Sequence, residues 1–258
     1  MKKILFALVA LALVFTACDK DDDDNGGDKG VQVKKEQWAF VLNYTATWCG
    51  PCGANGAPVI LACGATPRVV AVKAHASNDP MHNSAYYSQF GQQRPSGGGI
   101  PSFWVNDIKT SVGGTESTMN NELQKSPFAG LAMESSRDGA NYDVKIKGEF
   151  FSAQQGDYYL SVFLLEDNID GGPNAGSYKQ NGTNDPNFVH NYVFRTAATA
   201  SLYGELAIAN PAANATFEKQ YTIPVEPTWQ QDVYPVAILW KFDDSGVEPH
   251  YQFVNAIK

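Results

Sequence analysis

Thr45-Ala-Thr-Trp-Cys-Gly-Pro-Cys-Gly53, TATWCGPCG, sets two cysteines around a Gly-Pro pair directly behind a tryptophan. Three chemistries use this spacing: a redox-active dithiol, half of a zinc site, and a disulfide that staples a small domain. The flanking residues weigh on the choice. Trp38 to Tyr44 is a short apolar run without helical period, read as a buried strand, and Ala54 to Ala62 reads as a helix despite Gly56 and Pro58. A cysteine at such a junction lies beside unpaired backbone N–H groups and the positive end of the helix dipole, where thiolate is favoured. Cys49 is therefore expected to attack and Cys52 to resolve. Pro51 has no N–H and a fixed φ, which suits a first helical turn and stiffens the loop between the sulfurs.

A structural zinc site needs four ligands, and neither a second cysteine pair nor two closely spaced histidines is present; no metal and no cofactor is expected. Cys63, eleven residues past Cys52, reads as a buried inert thiol. His75 reads as a hydrogen-bonded structural residue. A staple is not required, because 258 residues can bury two cores of ordinary size and four cysteines are sparse. With 43% aliphatic and aromatic residues and 18% charged residues, most of the chain should fold.

Downstream, Arg68 to Ala74 reads as a strand, Asn83 to Phe90 as a helical segment, Ile100-Pro101 to Asn106 as a strand opened by proline, and Glu116 to Lys125 as an amphipathic helix. Strands alternating with helices indicate an α/β layer structure. The order strand, W-C-G-P-C, helix, strand, helix, then G-I-P opening a strand, resembles the thioredoxin fold over residues 37–127. That resemblance implies a cis Ile100–Pro101 bond against the disulfide, and site roles for Trp48, Cys49, Gly50, Pro51, Cys52 and Pro101. It departs at one position: thioredoxins usually carry a buried aspartate six residues before the first cysteine, and here that residue is Asn43, which cannot exchange a proton near neutral pH.

After Ser126-Pro127 the composition shifts. Phe128 to Ser136, a turn at Arg137-Asp-Gly-Ala, and Tyr142 to Phe150 read as a hairpin. Tyr158 to Leu165, Thr216 to Ile223, Val233 to Phe242 and His250 to Ile257 continue the strands. Residues 128–258 are expected to form an all-β, immunoglobulin-like sandwich of about seven strands. The long Gly- and Asn-rich insert from Asp167 to Arg195 is expected to decorate the surface. Glu166-Asp167-Asn168 reads as a turn, and His190 and Arg195 as a polar network pinning the insert.

At the other end, Lys2, Lys3 and the apolar run to Phe15 form a targeting signal over residues 1–17. The run is too short for a permanent membrane span. Its end, Phe15-Thr16-Ala17-Cys18, resembles the lipobox of bacterial lipoproteins, with Phe15 where a small aliphatic residue is usual; the resemblance implies cleavage before Cys18 and a palmitate-type lipid on it. Residues 18–36, with the run Asp21 to Asp24, read as a solvated tether. An acidic tract in that place also resembles the surface-export signal of some Gram-negative lipoproteins. The formal charge of −8 grows more negative once Lys2 and Lys3 are removed, which excludes a basic nucleic-acid-binding surface.

TATWCGPC together with YYLSVFLLEDNI (Tyr158 to Ile169) and VHNYVFR (Val189 to Arg195) resembles the twenty-eight-kilodalton outer-membrane protein family of lipoproteins, which join a thioredoxin-like region to a β-rich one. Two functions are expected to compete. One is a thiol-disulfide oxidoreductase on the outer membrane, with protein thiols and disulfides as substrates. The other is a surface-displayed binding or adhesion lipoprotein whose thioredoxin-like region is a scaffold.

Overall fold

A computed structural model describes residues 31–229, 232–245 and 250–258. The signal segment, Cys18 and the acidic tract lie outside the described residues.

The apolar run ahead of the cysteines forms β1 (Ala39–Thr45), buried on both faces. It pairs in parallel with β2 (Val69–His75), which sets Asn43 opposite Lys73 and Thr45 opposite His75. The chain crosses between them through a wide π turn (Cys52–Gly56) and α1 (Ala57–Ala65). Pro58 has no N–H to return to the carbonyl four residues back, and the turn opens to a bond from Ala57 N to Cys52 O.

Next comes α2 (Ser84–Gln93), capped by Asn83, whose Oδ1 accepts from Ala85 N at 3.1 Å. Then β3 (Ser102–Val105) runs antiparallel to β1, β4 (Ile108–Thr110) pairs with β3, and α3 (Thr115–Leu123) follows. Alternation divides β1 and β2 between two cores. Val41 and Ala71 face Ile60, Cys63, Met119 and Leu123, whereas Phe40, Leu42, Val70 and Val72 share a core with Phe90.

The second half supplies β5 (Ala129–Asp138), β6 (Asn141–Phe150), β7 (Asp157–Glu166), the single turn α4 (Ala175–Tyr178), β8 (Val193–Ala197), β9 (Glu205–Ala209), β10 (Thr216–Pro224), β11 (Val233–Asp243) and β12 (His250–Ile257). The turn between β5 and β6 is the expected one, with Gly139 at φ +55°. Two sheets result. One has nine strands in the order β12-β11-β7-β8-β2-β1-β3-β4, with β9 also beside β7; the other is β10-β6-β5. Leu160, Val162 and Leu239 on one face of the large sheet pack against Leu131, Ile146 and Phe150 of the small sheet, while Phe163, Val236, Ile238 and Trp240 join the core beneath α2.

The protein is thus mixed α/β with large β-sheets. The large sheet does not stop at residue 127: β2 and β8 pair in parallel at Lys73 and Val193, and Lys73 N donates to Tyr192 O at 2.7 Å. Residues 31–258 form one compact unit. Arg94, 1% exposed after α2, ties the halves further: its guanidinium donates to Asn106 O, Asp107 and Tyr251 O and stacks 4.6 Å from the Trp240 ring centre. Such a cation satisfies its donors while its flat face packs against aromatic surface.

One expectation requires correction. The insert from Asp167 to Arg195 is not surface decoration: Ile169, Gln180 and His190 are buried, and β8 begins within it. Isolated pairing of Ile169 with His190 closes the insert at its base. The buried Gln180 amide finds partners on the first half of the chain and His190 Nε2 bonds Tyr178 O within the insert, which offsets part of their desolvation.

Candidate functional site

Strand β1 ends against its neighbours at Thr45, and the chain turns through Ala46 to Trp48 before the helical segment begins. Cys49 and Cys52 are joined, with an S–S distance of 2.05 Å and Cα atoms 5.2 Å apart. The sulfurs lie in a small apolar cluster with Ala46, Ala76, Tyr87 and Ile100. Cys52 is 1% exposed and Cys49 is 6% exposed, so the first cysteine is the more accessible of the two. The Cys52 N–H points at Cys49 Sγ from 3.2 Å, and Gly53 N donates to Cys49 O at 3.3 Å. The Cys52 N–H is thus a helix-start donor placed where a thiolate on Cys49 would accept it, while Gly53 N closes the turn on the Cys49 carbonyl.

Ile100 O lies 3.7 Å from Cys49 Sγ, and the Ile100–Pro101 peptide is cis, as the sequence motif implied. Pro101 packs against the wide turn; a Cβ on Gly56 would come within 2.9 Å of Pro101 Cβ. Trp48 stands half-exposed beside the cysteines, its Nε1 donating to Ser77 O. Trp48, Cys49, Gly50, Pro51, Cys52 and Pro101 are therefore brought together. Asn43 is buried on the α1 side of β1, its amide reaching Tyr44 O at 3.3 Å. Opposite it in register, Lys73 is fully buried; burial lowers its pKa to about 8, against the opposing pull of Asp167.

A second layer holds the turn from below. Asp79 accepts from Thr47 N at 2.6 Å and Met81 N at 2.8 Å, with His75 Nδ1 3.1 Å away. Burial alone would raise the Asp79 pKa; His75 and the two backbone donors outweigh it and hold it at about 2. Burial lowers the His75 pKa below its ordinary value, opposed by Asp79. His190 is pushed down to about 3 by burial and then by Lys73 and His75, and one of its ring nitrogens bonds Tyr178 O at 2.7 Å. His75 is buried beside Asp79. Arg195 pairs with buried Glu166 at 2.5 Å, and Asp167 accepts from Tyr192 N and Tyr234 OH. Cys63 is buried and free, its thiol pushed up to about 12 by burial and the charge of Glu116. Among the described residues no group of three or more His, Cys, Asp and Glu is arranged to hold a metal ion.

The third layer is not legible in the sequence. Gln180 lies 2% exposed against the turn, and its Nε2 faces the carbonyl oxygens of Ala46 (3.0 Å), Thr47 (3.3 Å) and Cys49 (3.2 Å). Asn181 N donates to Thr47 O at 2.7 Å, and Asn181 Nδ2 to Trp48 O at 3.1 Å. Glycines permit the contact from both sides. A Cβ on Gly182, whose φ is +84°, would lie 1.9 Å from Gly50 O, and one on Gly53 would lie 2.0 Å from Asn181 O. No local pattern links residues 130 positions apart; the only signal was an unusually long polar insert.

Fold and site together define a class: a β-rich mixed α/β protein with a disulfide closing the first helical turn after its leading strand. The chain belongs to the family described as outer membrane protein Omp28, whose profile matches residues 83–252. This is the family that the three sequence motifs suggested, and it places the chain among outer-membrane proteins. The match takes in Pro101 and the whole insert but begins after the cysteine pair. Among solved structures, HBP35 of Porphyromonas gingivalis superimposes with a TM-score of 0.69 at 15% identity, covering 88% of this chain and 76% of that one. Identity that low shows a shared fold. No curated protein matches the chain. Among the described residues no helix is long and apolar enough to cross a membrane.

Proposed function

We propose that this protein is an outer-membrane lipoprotein that exchanges disulfides with partner proteins through Cys49 and Cys52. In this reading residues 37–127 are a thioredoxin-like unit, residues 128–258 an immunoglobulin-like sandwich built onto it, and lipid on Cys18 anchors the chain, with display on the cell surface. The strand order β2-β1-β3-β4 with α1 and α3 on one face supports the first part, and the packing of β10-β6-β5 on β7 and β11 supports the second.

The observation that carries the redox reading is the Cys52 N–H 3.2 Å from Cys49 Sγ, beside Ile100 and Pro101. In the reduced protein the Cys49 thiolate attacks one sulfur of a partner disulfide, that S–S bond breaks, and the partner's other sulfur leaves as thiolate. Cys52, deprotonated, then attacks Cys49 Sγ and releases the partner's first sulfur. The partner gains two electrons and, with protonation, two thiols; Cys49–Cys52 is oxidised. Reversing the sequence makes a partner disulfide. Trp48 and Pro101 flank the attacked sulfur, and no cofactor enters either step.

A second reading, a surface binding or adhesion module with an inert disulfide, draws on Asn43 in place of an acid and on the insert that braces the turn. Equilibration with glutathione and dithiothreitol, with trapping by a Cys52→Ala variant, decides between them. A mixed disulfide on Cys49 and an intermediate potential are expected for the exchanger. A strongly reducing couple that traps nothing overturns it. Protease access in intact cells tests surface display, and full protection contradicts it.

A further inference from the structure

Gln180 presents an arrangement that packing alone does not require. One side-chain nitrogen faces four backbone carbonyls, those of Ala46, Thr47, Cys49 and its own neighbour Asn181, at 3.0, 3.3, 3.2 and 3.2 Å. Two amide hydrogens are shared among four acceptors, one of them the Cys49 carbonyl. The Cys49 carbonyl is thereby held from two directions, by Gln180 and by Gly53 N.

The disulfide itself now fixes the distance between Cys49 and Cys52. On reduction that covalent tie is gone, and the sulfur keeps its helix-start donor only if the backbone around it stays where it is. The groups that remain are the Gln180 amide, Asn181 against Thr47 and Trp48, and Asp79 beneath Thr47. Of these side chains, Gln180 is the one bonded to the Cys49 residue itself.

We propose that Gln180 is a positioning residue for Cys49: its amide holds the Cys49 carbonyl in one place whether the disulfide is closed or open, so that the Cys52 N–H stays aimed at the Cys49 sulfur. This rests on the exchange function proposed above and makes the insert part of the reactive site. Removing the amide lets the reduced turn relax away from its donor, the thiolate loses a hydrogen bond, and Cys49 becomes a weaker nucleophile at low pH. The charged and titratable groups facing the turn are Asp79 and His75 below it, Tyr87 from α2, and Asp185 of the insert on the Gly53 side. They are unchanged by a substitution at Gln180, so a difference between variant and parent reports the amide.

The test is the pH profile of Cys49 alkylation by iodoacetamide in reduced, full-length protein, with Gln180→Met as the isosteric variant lacking N–H groups. Asn181→Ala, which removes a bond to Trp48 O but none to Cys49, is the comparison. The Gln180→Met profile is expected to move to higher pH, with alkylation at pH 6.5 roughly three- to tenfold slower, while Asn181→Ala moves it less. An unchanged profile in folded Gln180→Met overturns the proposal, as does an equal shift in both variants. If Gln180→Met fails to fold, the Gln180 side-chain amide signals of the parent protein decide by NMR. Signals shifted and slowly exchanging in both redox states support it, and signals that become solvent-like on reduction overturn it. Because alkylation needs no partner protein, failure here is distinguishable from failure of the exchange function, which is read by mixed-disulfide trapping.

Discussion

Asp79→Asn removes the charge that holds the cysteine turn from beneath while keeping the shape of the side chain. The carboxylate accepts from Thr47 N and Met81 N and lies 3.1 Å from His75 Nδ1, and its pKa falls from 3.8 to about 2 in the folded protein. A depressed folded pKa means that the carboxylate stabilises the fold above its unfolded pKa and that this contribution is lost as pH falls through the folded one. A shift from 3.8 to about 2 corresponds to about 2 kcal/mol at neutral pH, most of which is gone at pH 2. Asp79→Asn should therefore cost about 2 kcal/mol at pH 7 and flatten the stability curve between pH 4 and pH 2. His75 acts in a different window. Its folded pKa lies below the ordinary 6.5, so it adds stability that begins to fall as pH drops through 6.5. Losing Asp79 removes a group that raises His75, so the decline from pH 6.5 to 4 persists or steepens in the variant. Urea unfolding of the oxidised protein at half-unit steps from pH 7 to pH 2 reads both windows. An acid slope between pH 4 and 2 identical in Asp79→Asn and parent would refute the reasoning.

Other consequences can be measured beside it. Gly182→Ala combines a positive-φ alanine with a contact of 1.9 Å to Gly50 O, and should destabilise by about 2–3 kcal/mol with loss of amide protection around residues 46–50; a neutral substitution contradicts the close approach. Arg195→Met strips the guanidinium from a carboxylate with no exposed side-chain surface, and should cost about 3 kcal/mol in urea unfolding, against less than about 1 kcal/mol if the pair is dispensable. Cys63, with its thiol raised to about 12 and buried, should resist iodoacetamide in the folded oxidised protein at pH 8; stoichiometric labelling would show the helix packing to be wrong. Asn43→Asp puts a carboxylate opposite buried Lys73, and should speed resolution of a mixed disulfide at neutral pH by about tenfold, with equal rates counting against a proton-transfer role at that position.

The reactive motif was readable because its signals are local. A strand, Cys-Gly-Pro-Cys and a helix are consecutive, and Ile100-Pro101 carries its own mark. Elements with strong period or turn chemistry were placed within a few residues: β1, β2, α3, and the hairpin of β5 and β6 around Gly139. Strands β4, β8 and β9 were not anticipated. They are three to five residues long, and β8 and β9 derive their strand character from β7 and β2 rather than from any alternation of their own. Local pattern cannot report a neighbour supplied from far along the chain.

The boundary at residue 127 shows the same division. Composition changes there, and the strands on either side follow different connection rules, yet Lys73 and Val193 pair across it. The same is true of the insert, whose Gly and Asn content reads as a loop whatever it touches. Gln180 and Asn181 matter because the turn from Ala46 to Cys49 lies outside any strand ladder, and its buried carbonyls take further donors from the insert.

The residue types and spacing of TATWCGPCG by themselves determined that a dithiol would sit at a strand-to-helix junction with a proline-opened strand nearby, because helix-start donors, the fixed φ of proline and hydrophobic period act over a few residues. Tertiary structure alone decided what braces that dithiol. Asp79 below and Gln180 above reach the turn through sheet pairing and close backbone approach, and those depend on chain segments meeting in space rather than in order.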